Sequence, residues 1–163
     1  MSARVETMSR LLGDVQVGEK LATLSYDVTA TTVVLGALAS RDWRPMHHDY
    51  DFAVNRNGLR NVFLNTPNQA AWFERYVTDW SGPAGRLGRM KFRMKSSVFP
   101  GDTMHLDGTV DSVTTDASGC GWVELTVALT VDGDTMTECA ARVALPTSPD
   151  DNPWTRRGDA WLP

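Results

Sequence analysis

The sequence predicts a single α+β domain in which one long helix covers one face of an antiparallel sheet. Three observations carry that expectation. A helical period fills "NTPNQAAWFERYVTDW" (65–80), and a period of two runs from 89 to 145 with tight turns between the runs. The 163 residues also suffice to bury one core without disulfides or metal.

In chain order, "LATLSYDV" (21–28) follows the turn residues Gly18 and Glu19 and places Ala22, Leu24, Tyr26 and Val28 on one side of a half-buried strand. "ATTVVLGALAS" reads as a helix capped by Thr29 or Thr31 and ending near Ser40. Asp49 caps a short helix, "YDFAVNR", and Asn57-Gly58 supplies a left-handed stop. In the long helix Thr66 is the expected cap, Pro67 suits the first helical position, and Ala70, Phe73 and Val77 recur at helical spacing. "SGPAGRLG" is a glycine-rich loop.

Strand character begins at residue 89. "RMKFRMKSSVF" alternates Met90, Phe92 and Met94 with basic residues, and "PGD" (100–102) turns the chain into "TMHLDGTVDSV". "GWVELTVALTV" then alternates Val123, Leu125, Val127, Leu129 and Val131, and "DGD" (132–134) returns it as "TMTECAARVAL". That hairpin sets Cys139 opposite position 127 rather than Cys120, so both cysteines are expected as free thiols. The domain is expected to span 1–146. The tail, 147–163, has no period and is either loose or docked through Trp154 and Trp161.

The formal charge of −4 has its acids and bases interleaved, which excludes the basic footprint of a nucleic-acid binder. The opening residues lack a signal-peptide pattern and no apolar run reaches membrane-spanning length, so a cytoplasmic protein is expected.

The chemistry-bearing stretch is "RDWRPMHHDYDFA" (41–53). Pro45 extends Arg44 and stiffens the loop, so Asp42 and His47 are free to point into one cavity and hold a water between carboxylate and imidazole. By spacing alone, Asp42 as a turn cap and His47 as a polar loop residue compete with that reading. A metal site from His47, His48, Asp49 and Asp51 is disfavoured, because adjacent histidines diverge and only His105 remains to complete a shell.

Asp42, Pro45, Met46, His47 and the small residue Ala53 resemble the hydratase motif of the MaoC-like enoyl-CoA hydratases, which have the hot-dog fold. The likeness continues through "VFPGD" (98–102) to the closing hairpin. "HHD" (47–49) and "RYVTDWSGP" (75–83) resemble more closely the small subunits of actinobacterial steroid side-chain enoyl-CoA hydratases.

The resemblance implies an antiparallel sheet wrapped around a central helix, and a bulky, steroid-sized acyl-CoA as substrate, with no separate cofactor and no metal. It implies that Asp42 and His47 activate the water added to a trans-2-enoyl-CoA, or the reverse dehydration. A backbone N–H at the start of the central helix would hold the thioester oxygen. The family commonly has His-Gly there, where this chain has Asn65-Thr66. Pro67 has no N–H, so Thr66 is the expected donor, with Asn65 adding a side-chain bond.

Arg44, Arg89 and Lys91 are candidates for CoA phosphates, against the alternative that they are solvated. The basic run Arg86, Arg89, Lys91, Arg93 and Lys95 equally suits the solvent face of a strand, and His48 and His105 read as ordinary polar residues. The implied assembly is a homodimer, or a heterodimer with a MaoC-like paralogue that carries or recruits an OB-fold acyl-CoA-binding protein. A structural subunit without its own chemistry, and an acyl-CoA thioesterase, are the competing functions.

Overall fold

The computed structural model describes residues 10–163. Strands β1 (Leu24–Asp27), β2 (Arg86–Met94), β3 (Thr103–Thr115), β4 (Gly121–Val131) and β5 (Asp134–Leu145) form one sheet in the order β1-β3-β4-β5-β2. Every pairing is antiparallel. Helices α1 (Ala30–Ala39) and α2 (Thr66–Ser81) join β1 to β2.

The period of two decides which face is buried. Met104, Leu106 and Val110 of β3, Val123, Leu125, Val127 and Leu129 of β4, and Cys139, Ala141 and Val143 of β5 point to one side, where Phe73, Tyr76 and Val77 of α2 meet them. The ring of Phe73 stacks with Phe92 of β2 at 6.3 Å. The hairpin register pairs Val127 with Cys139, as the sequence implied, and both cysteines are free.

Local departures have local causes. Ala22 is exposed and Leu21 is buried in its place, because the Leu21 N–H binds the Gly108 carbonyl before β1 begins. β2 starts at Arg86, inside the expected loop, and ends at Met94. Beyond it the Lys95 and Ser96 N–H groups share the Met136 carbonyl, and the Val98 carbonyl accepts from Leu64, so pairing stops before Phe99.

Thr29 caps α1 by accepting from the Thr32 N–H. Asn65 caps α2, replacing Thr66, by accepting from the Asn68 N–H at 3.1 Å; Thr66 is the first helical residue and Pro67 the second. Asp49 caps the short helix through the Phe52 N–H at 3.0 Å. Phe52–Arg56 is a π-turn, and Gly58 alone takes the left-handed conformation, since Asn57 has φ −100°.

The tail is docked. On the sheet face opposite α2, Trp161 packs on Trp122 at 4.9 Å, and the Arg86 guanidinium lies 3.6 Å from the Trp161 ring centre. Arg86 also donates to the Pro153 and Arg156 carbonyls, both at 3.1 Å. Gly88 leaves room for this packing; a Cβ there would stand 2.8 Å from both Trp122 and Pro163. Among the described residues, no helix is long and apolar enough to cross a membrane.

Candidate active site

The end of α1 aims Asp42. The Arg41 N–H binds the Leu38 carbonyl and the Asp42 N–H binds the Ala37 carbonyl at 2.9 Å, with Arg41 left-handed at φ 53°. Such a turn commonly closes a helix, with glycine at the left-handed position. Asp42 therefore leaves the helix in a fixed direction, and its side chain is 20% exposed.

Pro45 opens a single turn of 3₁₀ helix, Pro45–His47, which carries His47 inward until its side chain is 6% exposed. Its Nδ1 lies 2.9 Å from the Phe63 carbonyl oxygen. A carbonyl only accepts, so Nδ1 carries the proton and the lone pair of neutral imidazole is on Nε2. That Nε2 faces Oδ2 of Asp42 at 3.6 Å. Both facing atoms are acceptors, and a water between them satisfies each with one O–H.

Asp42 is held as a carboxylate. The Asn65 side-chain N–H, 3.0 Å from Oδ2, is the largest influence lowering its pKa; partial burial opposes it, and the Arg44 N–H at 3.3 Å from Oδ1 supports it. The Arg44 charge acts in the same direction, as does that of His47 whenever its ring takes up a proton.

Thr66 starts α2 beside this pair. Its N–H precedes the first intrahelical bond and has no partner among the described residues, which is the condition an oxyanion donor needs. Its hydroxyl donates to Met94 Sδ at 3.2 Å. Asn65 is 1% exposed, and both of its donor hydrogens are engaged, one by Ser40 Oγ at 2.9 Å and one by Asp42. It has no hydrogen left for a thioester oxygen.

Asp42, His47, Asn65 and Thr66 are thus gathered, while the basic candidates are dispersed. Arg44 is exposed and joins the site through its N–H. Arg89 and Lys91 lie on the sheet face opposite α2, where Arg89 is 3.8 Å from Glu124. His48 lies near the Trp43 carbonyl, and His105 bonds Ser25 on the sheet. Among the described residues, no three His, Cys, Asp or Glu side chains are grouped to hold a metal ion.

Two contributors escape local sequence reading. Ser40 receives Asn65 and gives its own proton to the Gly36 carbonyl at 2.7 Å. Phe63 acts through a backbone oxygen, which no side-chain pattern reports.

The family model for the MaoC like domain matches residues 14–131. A Mycobacterium tuberculosis chain described as 3-oxo-4,17-pregnadiene-20-carboxyl-CoA hydratase beta subunit is 35% identical over 97 residues, which are 60% of this chain and 74% of that one. A chain in the crystal structure of the ChsH1-ChsH2 complex from the same organism superposes with a TM-score of 0.73 at 25% identity, covering 80% of this chain and 98% of that one. The (R)-hydratase from A. caviae involved in PHA biosynthesis gives 0.72 at 25% identity, over 81% of this chain and 98% of that one.

Proposed function

This chain belongs to the MaoC-like domain family, and from that premise we propose that it hydrates the double bond of a trans-2-enoyl-CoA with a bulky, steroid-derived acyl group. The observation that carries the reading is the 3.6 Å gap between Asp42 Oδ2 and His47 Nε2, with Nδ1 tied to Phe63. The gap suits one water that donates to both acceptors.

The water oxygen adds to the β-carbon as one of its protons passes to the pair. Negative charge develops on the thioester oxygen, which the Thr66 N–H stabilises at the helix start. A proton from the pair then goes to the α-carbon, and Asp42 and His47 return to their initial states. Dehydration of a 3-hydroxyacyl-CoA runs the same steps backwards. CoA is substrate here, and no separate cofactor enters these steps.

The acyl group is inferred from the M. tuberculosis hydratase subunit, and a second MaoC-like chain as partner from the two-chain ChsH1-ChsH2 complex. An OB-fold acyl-CoA-binding protein in the assembly, and contact of the exposed Arg44 beside the site with the CoA phosphates, are further elements of the proposal; Arg89 and Lys91, across the sheet from α2, are left out of it.

The test is turnover of enoyl-CoAs, from crotonyl-CoA to a steroid side-chain thioester, by this chain alone and with a co-expressed MaoC-like partner. Asp42→Asn and His47→Ala are each expected to lower kcat by about 10³-fold. Their combination should cost little more than either alone, because both act on one water. Full activity of an assembly carrying His47→Ala only in this chain would overturn the assignment in favour of a structural subunit. Release of free CoA in place of a hydrated product would make it a thioesterase.

A further inference from the structure

From the hydrogen bonds converging on Asn65 we infer that it is a positioning residue, clamping the Asp42 carboxylate and the first turn of α2 together so that the activated water and the oxyanion donor keep one geometry. The inference rests on the hydratase reading and adds a role that its mechanism leaves unassigned.

The bonds are directional, which fixes the amide. Ser40 spends its proton on the Gly36 and Ala37 carbonyls at 2.7 and 3.2 Å, so towards Asn65 it can only accept. Asp42 as a carboxylate can only accept as well. The Asn68 N–H, on the other side, can only donate, and it meets Asn65 Oδ1 at 3.1 Å. Turning the amide over would set its oxygen against two acceptors and its nitrogen against a donor. Only one orientation satisfies all three neighbours, and the residue is 1% exposed, so water cannot substitute for any of them.

One planar group thus connects α1, through Ser40, to the carboxylate and to α2. Asn65 immediately precedes Thr66, so a change in the side chain's position is also a change in where the Thr66 N–H points. Oδ2 is the oxygen that receives Asn65 and the oxygen that faces His47. The clamp therefore selects which carboxylate oxygen takes the water.

The experiment uses whichever assembly of this chain hydrates crotonyl-CoA or the steroid thioester. Asn65→Ser keeps a capping acceptor for α2 but removes both N–H donors. The expected result is a fall in kcat of about 10²-fold, a KM changed by less than about 3-fold on the same positional argument, and an acid limb of kcat/KM moved to higher pH. A merely structural residue would not move that limb. Should Asn65→Ser fail to fold, Asn65→Asp retains the acceptor, and its second carboxylate should shift the limb further in the same direction.

An unchanged acid limb and kcat in Asn65→Ser, in a protein that Asp42→Asn inactivates, overturn the clamp and leave the hydratase reading standing. Full activity of Asp42→Asn overturns both.

Discussion

Arg41 holds a backbone conformation that L-residues avoid, with φ 53°, in the turn that delivers Asp42 to its neighbours. The left-handed position costs a side-chain-bearing residue about 1–2 kcal/mol that glycine does not incur. Arg41→Gly is expected to raise stability by up to about 1 kcal/mol in urea denaturation, and Arg41→Val to lower it by about as much. A less stable glycine variant would show that the arginine makes compensating contacts.

Asp116 offers a residue-level test against pH. The Ser118 hydroxyl, and next the Trp122 indole N–H, hold its carboxyl well below the usual range, with bonds of 2.6 and 2.8 Å. A carboxyl depressed on folding contributes stability that is complete above its unfolded value and is lost as pH falls towards the folded one. Asp116→Asn should therefore flatten the loss of Tm below about pH 4. An acid slope equal to that of the wild type would sink this assignment.

At the scale of elements, the crossing of α1 and α2 sets the site. A Cβ on Gly36 would lie 1.9 Å from Asn68 Nδ2 and 3.0 Å from its Cβ, and that amide bonds the Thr32 carbonyl at 3.1 Å. Gly36→Ala must separate the helices or displace Asn68, at an expected cost of about 1–3 kcal/mol. Turnover should fall with it, since Ala37, whose carbonyl fixes the Asp42 N–H, directly follows Gly36, and the cap residue Ser40 closes the same helix. Adding Asn68→Ala, which keeps the backbone N–H that Asn65 caps, should recover stability. Strictly additive losses would refute the contact.

These elements also show what the sequence displayed. The alternating runs of β3, β4 and β5 were legible because burial repeats every second residue. The cap of α2 was misplaced by one residue, because Asn and Thr both cap and proline fits either of the first two helical positions. Asp42 and His47 were legible as a pair through the motif, whereas the Asn65 bonds cross 23 and 25 positions and leave no local pattern.

Over the whole molecule, the tail tests how far the fold depends on its last residues. The sequence leaves a loose and a docked tail equally open, and Arg86, the partner of Trp161, is hidden there in a glycine-rich loop. Trp161→Ala is expected to lower stability by about 1–2 kcal/mol, through the lost contacts with Trp122 and Arg86. Turnover should be unchanged, because the tail lies across the sheet from α2. A selective loss of activity without a change in Tm would connect the tail to the site.

The single gap between Asp42 and His47 has a stereochemical consequence. One water held by two fixed acceptors approaches a planar alkene from one side only, and the same pair supplies the proton for the neighbouring carbon. On the proposed reading both new bonds form on that side, so hydration in deuterated water should yield a single enantiomer with syn oxygen and deuterium.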